Sequence, residues 1–485
     1  MKLAIFLIMA LAVIIRLVTL PYLLPFTSDE AYILYIVQTI IKNFHVIWIG
    51  VSALGFDFYM GPFLIYIIYP FMAIFKGDPI VWGVISSLLG VLTVYLLYWF
   101  GKKLFSENVG LIAAIFYATS SLIIFYDQKP YPSGVPLLSL ILVITLYMSK
   151  YSNKWWVLFA IAYGIVFHIH LSLTLILFVA IYWIILQRKL IDKKTIFLSI
   201  AAFILTIFPL IVFDYFHKGS NITAPLRVLE SIRDNDDKLH IGERFNSLTL
   251  SMGRVAYLDS YKNNADEILH PCIKDLFSTI SKPNGILSVL IVGLFLYFFA
   301  KTDSWLDQKK RLLLISSLTF LLPFIFLSSI NSIEYYLLGF FPLLFLILAY
   351  IIESLSKPIK YLAYILILII AWHGIFTVLV SQGDFGINAK KSLIKKVINT
   401  IGESPYNLKQ EGGCHKYGGW RYLFSVYGRK PEQSSEDPIF SWLYPDEVSQ
   451  KETKYSVVIY ETRIPVDLKG YKFVFQEGGY TAYIF

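Results

Sequence analysis

The sequence predicts a multi-pass α-helical membrane protein that ends in a small extracytoplasmic α/β domain. Three observations predict it. The chain is 57% hydrophobic and only 15% charged, whereas soluble domains carry about 25% charged residues. Apolar runs of span length recur from Leu3 to Val380. After about Ser381 the pattern changes to a polar helix and alternating strands, which divides the chain into a membrane part, 1–380, and a soluble part, 381–485.

A hydrocarbon core about 30 Å thick takes roughly 20 helical residues. By that ruler the spans are Leu3–Leu23, Ile80–Phe100, Val109–Tyr126, Val135–Met148, Thr195–Phe213, Gly285–Ala300, Leu312–Ser328, Leu337–Ile352 and Ile359–Val380. The stretch Trp155–Leu186 is too long for one span and reads as two, turning near "FHIHLS", for about eleven in all. The first run is a retained span, because no small-residue cleavage site follows it and Arg16 interrupts it.

Met60–Phe75 is apolar but short and holds Pro70. Lys and Arg favour the cytoplasmic side of short loops. With this segment counted as a surface or re-entrant helix, Lys102, Lys103, Lys150, Lys154, Arg188, Lys189, Lys193, Lys194 and Lys309–Arg311 all fall inside. Counting it as a crossing reverses the bias. With the surface helix at Ser28–Ile40 it makes two juxtamembrane helices. The expected topology is a cell-membrane protein with a cytoplasmic N-terminus. Outside lie Asp29 and Glu30, the turn "YDQKPYPSG", the loop Asp214–Asn284 and the tail. The formal charge of +9 sits in inter-helix loops, so it predicts a lipid bilayer as partner and no nucleic acid. Cys272 and Cys414 both fall outside, where a disulfide can persist, but two cysteines do not define a framework.

The tail offers "NAKKSLIKKVINTIGE", an aromatic amphipathic stretch "GGWRYLFSVYGRKP", and strand-like runs "KYSVVIYET", "YKFVFQ" and "YTAYIF". Its tryptophans Trp420 and Trp442 and Arg421 are either core residues or contacts for an acceptor.

Asp29 and Glu30 follow Pro25 where the chain leaves the first span. One reading is a capped surface helix, with Thr27 or Ser28 as cap and carboxylates in the first turn. The other is catalytic. Neighbours on a helix point about 100° apart, so one carboxylate can hold the helix start while the other faces a cavity. A carboxylate beside low-dielectric membrane has its pKa raised, which suits a general base.

The span, the short loop, "SDEAY" and the amphipathic helix resemble the start of GT-C membrane glycosyltransferases, closest to the protein O-mannosyltransferase and aminoarabinose transferase group. "GPFLIYIIYPFMAIFKGDP", "LTVYLLYWFGKKLFSENVGLIAAIFYATS", "FYDQKPYPSGVPLL" and "FPLIVFDYFHKGSNITAPLRVL" are similar, in order, to its second juxtamembrane helix, next hairpin, outer turn and long outer loop. The resemblance implies a GT-C transmembrane catalytic domain over 1–380. It also implies an inverting transfer from a polyprenyl-phosphate-linked sugar donor to a lipid, glycan or protein hydroxyl. Asp29 would be the general base and Glu30 would position the acceptor or the loop.

Donor phosphate would be met by cations and hydrogen-bond donors among Lys129, Arg16, His168, His170, Lys218 and Arg227, with His217 and Arg233 also in the long loop. Arg16, buried in a span, needs a partner and reads first as structural. The implied cavity is lined by Tyr32, Asp57, Tyr59, Asp127, Glu334, Tyr335 and Tyr336. No cofactor is expected. A divalent metal shared by Asp29 and Asp57 is possible but not favoured, because no Asp-x-Asp stands in the first loop and His-x-His alone is weak. Asn221-Ile-Thr is an outward glycosylation sequon.

Two departures stand out: Ser133 replaces the acidic residue expected four positions after Lys129, and "FYMGP" lacks the lysine of aminoarabinose transferases. The alternative is a multi-pass transporter or lipid flippase. Such proteins show inverted repeats or ionisable residues at the midplane, and apart from Arg16 the deep runs here are clean.

Overall fold

The computed structural model describes residues 2–53, 58–187, 191–224, 226–227, 241–258, 284–326, 334–380, 386–411, 418–449, 451–460 and 468–485. Asp57, Arg233, Cys272 and Cys414 lie outside the described residues.

Helix α1, Lys2–Leu23, leads over a four-residue connection to α2, Ser28–Lys42. Thr27 stands at the N-cap of α2 in extended backbone. After a two-stranded hairpin of β1, Ser52–Ala53, and β2, Phe58–Tyr59, comes α3, Phe63–Ile74. Its 12 residues make about 18 Å of helix, too short to cross a bilayer. Asp78 caps α4, Pro79–Leu104, by accepting from the Ile80 N–H at 3.0 Å. Then follow α5, Glu107–Thr119, and α6, Ser121–Gln128. The apolar run expected as one straight span from Val109 to Tyr126 is therefore two helices. They bend by 67° at Ser120, whose hydroxyl donates to the Val255 carbonyl at 2.6 Å.

The bundle continues with α7, Val135–Met148, α8, Lys154–Ile169, α9, Ile176–Gln187, and α10, Lys193–Phe216. It closes with α11, Ile241–Ala256, α12, Gly285–Ala300, α13, Gln308–Phe326, α14, Phe341–Glu353, and α15, Lys357–Leu379. Among the described residues four helices are long and apolar enough to cross a membrane, and the bent pair α5–α6 makes a fifth. Six further apolar helical segments of 10–17 residues fall below the roughly 30 Å needed. The expected count of eleven thus does not follow from helix length. The ruler counts apolar residues and takes no account of helix length: the turn expected near "FHIHLS" is there, at His170, but the α8 and α9 that it parts are 16 and 12 residues long.

The tail folds as α16, Ile387–Ile401, and α17, Trp420–Tyr427, against a five-stranded sheet. Its strands are β3, Tyr406–Glu411, β4, Gln433–Ser434, β5, Tyr455–Tyr460, β6, Phe473–Glu477, and β7, Tyr480–Ile484, in the order β4-β3-β5-β7-β6. The β3 strand runs parallel to β4 and β5; β7 runs antiparallel to β5 and β6.

One apolar core fills the helix bundle. A second is shared: Ile33, Leu34 and Val37 of α2, Ile65 and Ile68 of α3, and Trp82 of α4 pack with Leu393, Trp420, Tyr422 and Ile459 of the tail. Polar ties follow the same seam. Lys390 donates to the Phe26 carbonyl at 2.7 Å, Tyr422 to the Gly77 carbonyl at 2.7 Å, and Tyr427 to the Asp78 carboxylate at 2.7 Å. The tail thus braces both α2 and α3. Lys390→Met strips a buried donor from the Phe26 carbonyl and is expected to cost about 1–3 kcal/mol of stability. Hydrogen exchange should then rise in α2 as well as α17; a rise confined to the tail would contradict the bracing.

Candidate active site

The two adjacent carboxylates part ways at the start of α2. Glu30 is fully buried, and its Oε2 accepts from the Thr27 N–H at 2.8 Å and the Thr27 hydroxyl at 2.5 Å. It closes the N-terminus of the helix, satisfying a backbone N–H that has no partner inside the helix. Asp29, one residue earlier and turned by about 100°, is exposed.

Burial nevertheless dominates the environment of Asp29 and raises its pKa above 3.8, opposed by the charge of Lys129. The side chain is itself open to solvent, which moderates the shift. Glu30 is also raised, first by burial, then against Lys129 and with Asp29.

Lys129 reaches this place from the end of α6, where its backbone N–H closes the helix on the Phe125 carbonyl at 3.0 Å. It is half-buried, and its Nζ stands 5.9 Å from the centre of the Tyr335 ring. Tyr335 and Tyr336 pack on each other at 4.5 Å and against His170 at 5.6 and 5.5 Å. His170 is buried, which lowers its pKa to about 4, so it is uncharged at neutral pH. Its Nδ1 accepts from the Ser172 N–H at 3.3 Å, which puts the ring proton on Nε2. Tyr131 joins the group: burial raises its pKa, and the charges of Asp29 and Glu30 add to the effect. Tyr32 stands one helical turn after Asp29, electrostatically coupled to Tyr59.

Other expected site residues are engaged elsewhere. Arg16 is fully buried and donates to Asp127 Oδ2 from Nη2 at 2.8 Å and Nε at 3.0 Å, and to the Ala118 carbonyl at 3.1 Å. Tyr117 donates to Asp127 Oδ1 at 3.0 Å. Asp127 is therefore the partner of Arg16 inside the bundle, withdrawn from the cavity it was expected to line, and Arg16 faces protein rather than phosphate. His168 uses both ring nitrogens: Nδ1 accepts from the Phe63 N–H at 3.4 Å and Nε2 bonds the Thr206 carbonyl at 2.9 Å. It pins the entry of α3 to α8 and α10, with no nitrogen left for a phosphate. Arg227 folds back on Thr223 at 2.7 Å and on the Ser220 carbonyl at 2.9 Å, and Lys218 is exposed in the turn after α10.

Asn221 is buried and holds both the N–H and the carbonyl of Tyr59, at 2.8 and 3.1 Å. That fastening, not a glycan, is what its amide serves. Glu334 forms a buried pair with Arg254 at 2.6 Å, which fixes the start of the segment carrying Tyr335 and Tyr336. Arg254 and Tyr131 were not singled out from the sequence. The signal for Arg254 was present, because an arginine ending an amphipathic helix needs a carboxylate if that end is buried. Among the described residues no three His, Cys, Asp or Glu side chains converge as a metal site would need.

Residues 60–213 match the family profile described as dolichyl-phosphate-mannose-protein mannosyltransferase. The fold is similar to that of ArnT from Cupriavidus metallidurans, solved in the apo state (TM-score 0.63) and bound to undecaprenyl phosphate (TM-score 0.60). Each comparison covers 99% of this chain and 97% of that one at 11% identity. The apo oligosaccharyltransferase of Archaeoglobus fulgidus is also similar, with TM-score 0.51 and 14% identity over 93% of this chain and 69% of that one. No curated protein matches the sequence. The chain therefore has the GT-C fold of these membrane enzymes.

Proposed function

We propose that the chain is an inverting glycosyltransferase that moves a sugar from a polyprenyl-phosphate carrier to a hydroxyl on the outer face of the cell membrane. The observation that carries this reading is an exposed carboxylate, Asp29, whose charge is met by the Lys129 cation. The family profile and the fold, one of whose representatives is bound to undecaprenyl phosphate, support a lipid-phosphate donor.

The chemistry needs little else. Asp29 accepts the proton of the acceptor hydroxyl as its oxygen attacks the anomeric carbon. The bond from that carbon to the phosphate oxygen breaks, and the electron pair leaves on polyprenyl phosphate. One displacement inverts the anomeric centre. The leaving group is already a stabilised anion, so charge stabilisation by Lys129 takes the place of a general acid. Glu30 holds the base in register. The raised pKa of Asp29 makes it a stronger base than an ordinary aspartate.

The test is turnover of full-length protein in lipid nanodiscs with a panel of radiolabelled polyprenyl-phosphate sugars, reading free polyprenyl phosphate and the anomeric configuration of the product. A retained configuration would rule out the single displacement. Lys129→Met is expected to weaken donor binding roughly 10- to 100-fold, as loss of a charged hydrogen bond does. It should also move the acidic limb of kcat/KM to higher pH, because the charge that lowers the Asp29 pKa is gone. Lys129→Arg should restore both. An unmoved limb would place Lys129 away from the base.

A further inference from the structure

The face of α2 that carries Asp29 also meets the tail. Tyr32 lies three residues beyond Asp29, hence on the same face of α2. Its ring meets Phe440 at 6.0 Å and Trp442 at 6.3 Å. These two tail aromatics are not alike. Phe440 is nearly buried, while Trp442 is 63% exposed and its neighbour Ile439 is 42% exposed. Trp420, by contrast, is wholly buried in the shared core, so the tail has one structural tryptophan and one held out against Tyr32 of α2. The rim near Trp442 is charged with both signs: Glu447 pairs with Lys42 and, at 2.9 Å, with Lys430, and Asp446 is exposed.

We infer that Tyr32 and Trp442 form the platform on which a sugar ring of a glycan acceptor rests, so that the acceptor is itself a carbohydrate. This rests on the transferase reading and names its substrate class. A pyranose offers an apolar face of C–H bonds, which an indole and a phenol ring can cover, and hydroxyls around its edge, which carboxylates and amines at the rim can bind. An anionic lipid surface selects a different set, basic residues without carboxylates. The platform continues the site: the face that carries Trp442's partner Tyr32 also carries Asp29, so a sugar stacked there brings a hydroxyl to the base. The cationic flank comes from another part of the chain, the turn after α6. Donor phosphate and acceptor thus have separate footholds that share Asp29, as a single displacement requires.

The experiment uses full-length protein in nanodiscs and ligand-observed saturation-transfer NMR with neutral tetrasaccharides of glucose, galactose, mannose and N-acetylglucosamine. Wild type is expected to bind at least one, Trp442→Ala to bind it roughly five- to tenfold more weakly, and Trp442→Phe to recover most of the loss. Asp29→Asn should keep saccharide binding while losing turnover, which separates failure of this inference from failure of the transferase reading. Binding of none of the saccharides, or equal binding by Trp442→Ala, overturns it. So does quenching of Trp442 fluorescence by brominated lipid, with Trp442→Phe as the reference, since the indole would then be a membrane anchor.

Discussion

Asp29→Asn is expected to lower turnover by roughly 10²- to 10⁴-fold, the loss that follows removal of a general base, with donor affinity little changed. Stability should move the other way. The folded-state pKa of Asp29 is raised above 3.8 by burial. A group raised in this way stabilises the fold in its protonated form, below its unfolded pKa, and loses that contribution as pH rises through the folded value. The ionised wild-type group is therefore one that its surroundings would favour as the acid, and asparagine relieves it. The variant should unfold at a temperature equal to or above that of wild type at pH 7. The gap should narrow as pH falls toward 4. A thermal-unfolding series across pH, run beside the turnover assay, checks both halves. Lost turnover together with a lower unfolding temperature would mean that Asp29 is a structural cap.

This opposition explains why two carboxylates are adjacent in the sequence. Glu30 satisfies the helix start and is sealed; Asp29 is left open in a place that disfavours its charge. That one of the two could hold the helix start while the other stays open was legible, because it follows from helix geometry and a cap position; which one does so was not. The need of Arg16 for a partner was legible for a similar reason: an arginine in a span cannot stay unpaired.

What was not legible depends on contacts distant in sequence. Asp127 is 111 residues from Arg16, and a carboxylate next to an outward turn reads equally well as a cavity residue. His168 sits in the same His-x-His as His170, yet one ring is consumed by backbone and the other faces two tyrosines. Composition cannot separate them. The break at Ser120 falls inside a run long enough to span, where the three hydroxyl residues Thr119, Ser120 and Ser121 read as tolerated helix residues; in the fold Ser120 caps α6 and donates to Val255. The tail read as an appended domain because its helices are amphipathic. An apolar face does not say what it will cover, and here it covers α2 and α3.

The second large effect lies in the Arg16–Asp127 pair. Arg16 is sealed from solvent, and its guanidinium is held by Asp127 and the carbonyls of Ala12 and Ala118. Gln128 adds a second tie, donating to the Arg16 carbonyl and the Thr19 hydroxyl, each at 2.7 Å. Gly90 leaves the space: a Cβ there would lie 2.3 Å from the Asp127 carboxyl. Together these groups fasten α6, a helix of only 8 residues, to α1. Lys129 is the next residue after α6, and Asp29 stands a short connection beyond α1. The pair therefore sets the distance between base and cation without touching either. Removing one partner leaves a buried charge alone, so Arg16→Met or Asp127→Asn is expected to cost about 3–5 kcal/mol, read as a large fall in unfolding temperature. Replacing both, by Arg16→Met with Asp127→Leu, should recover much of that stability, since an apolar pair of similar volume is often neutral or better. Turnover should not recover with it, because the directional hold on α6 is lost. If the double variant regained both stability and activity, the pair would be mere packing, and the placement of Lys129 would have to come from the bend at Ser120.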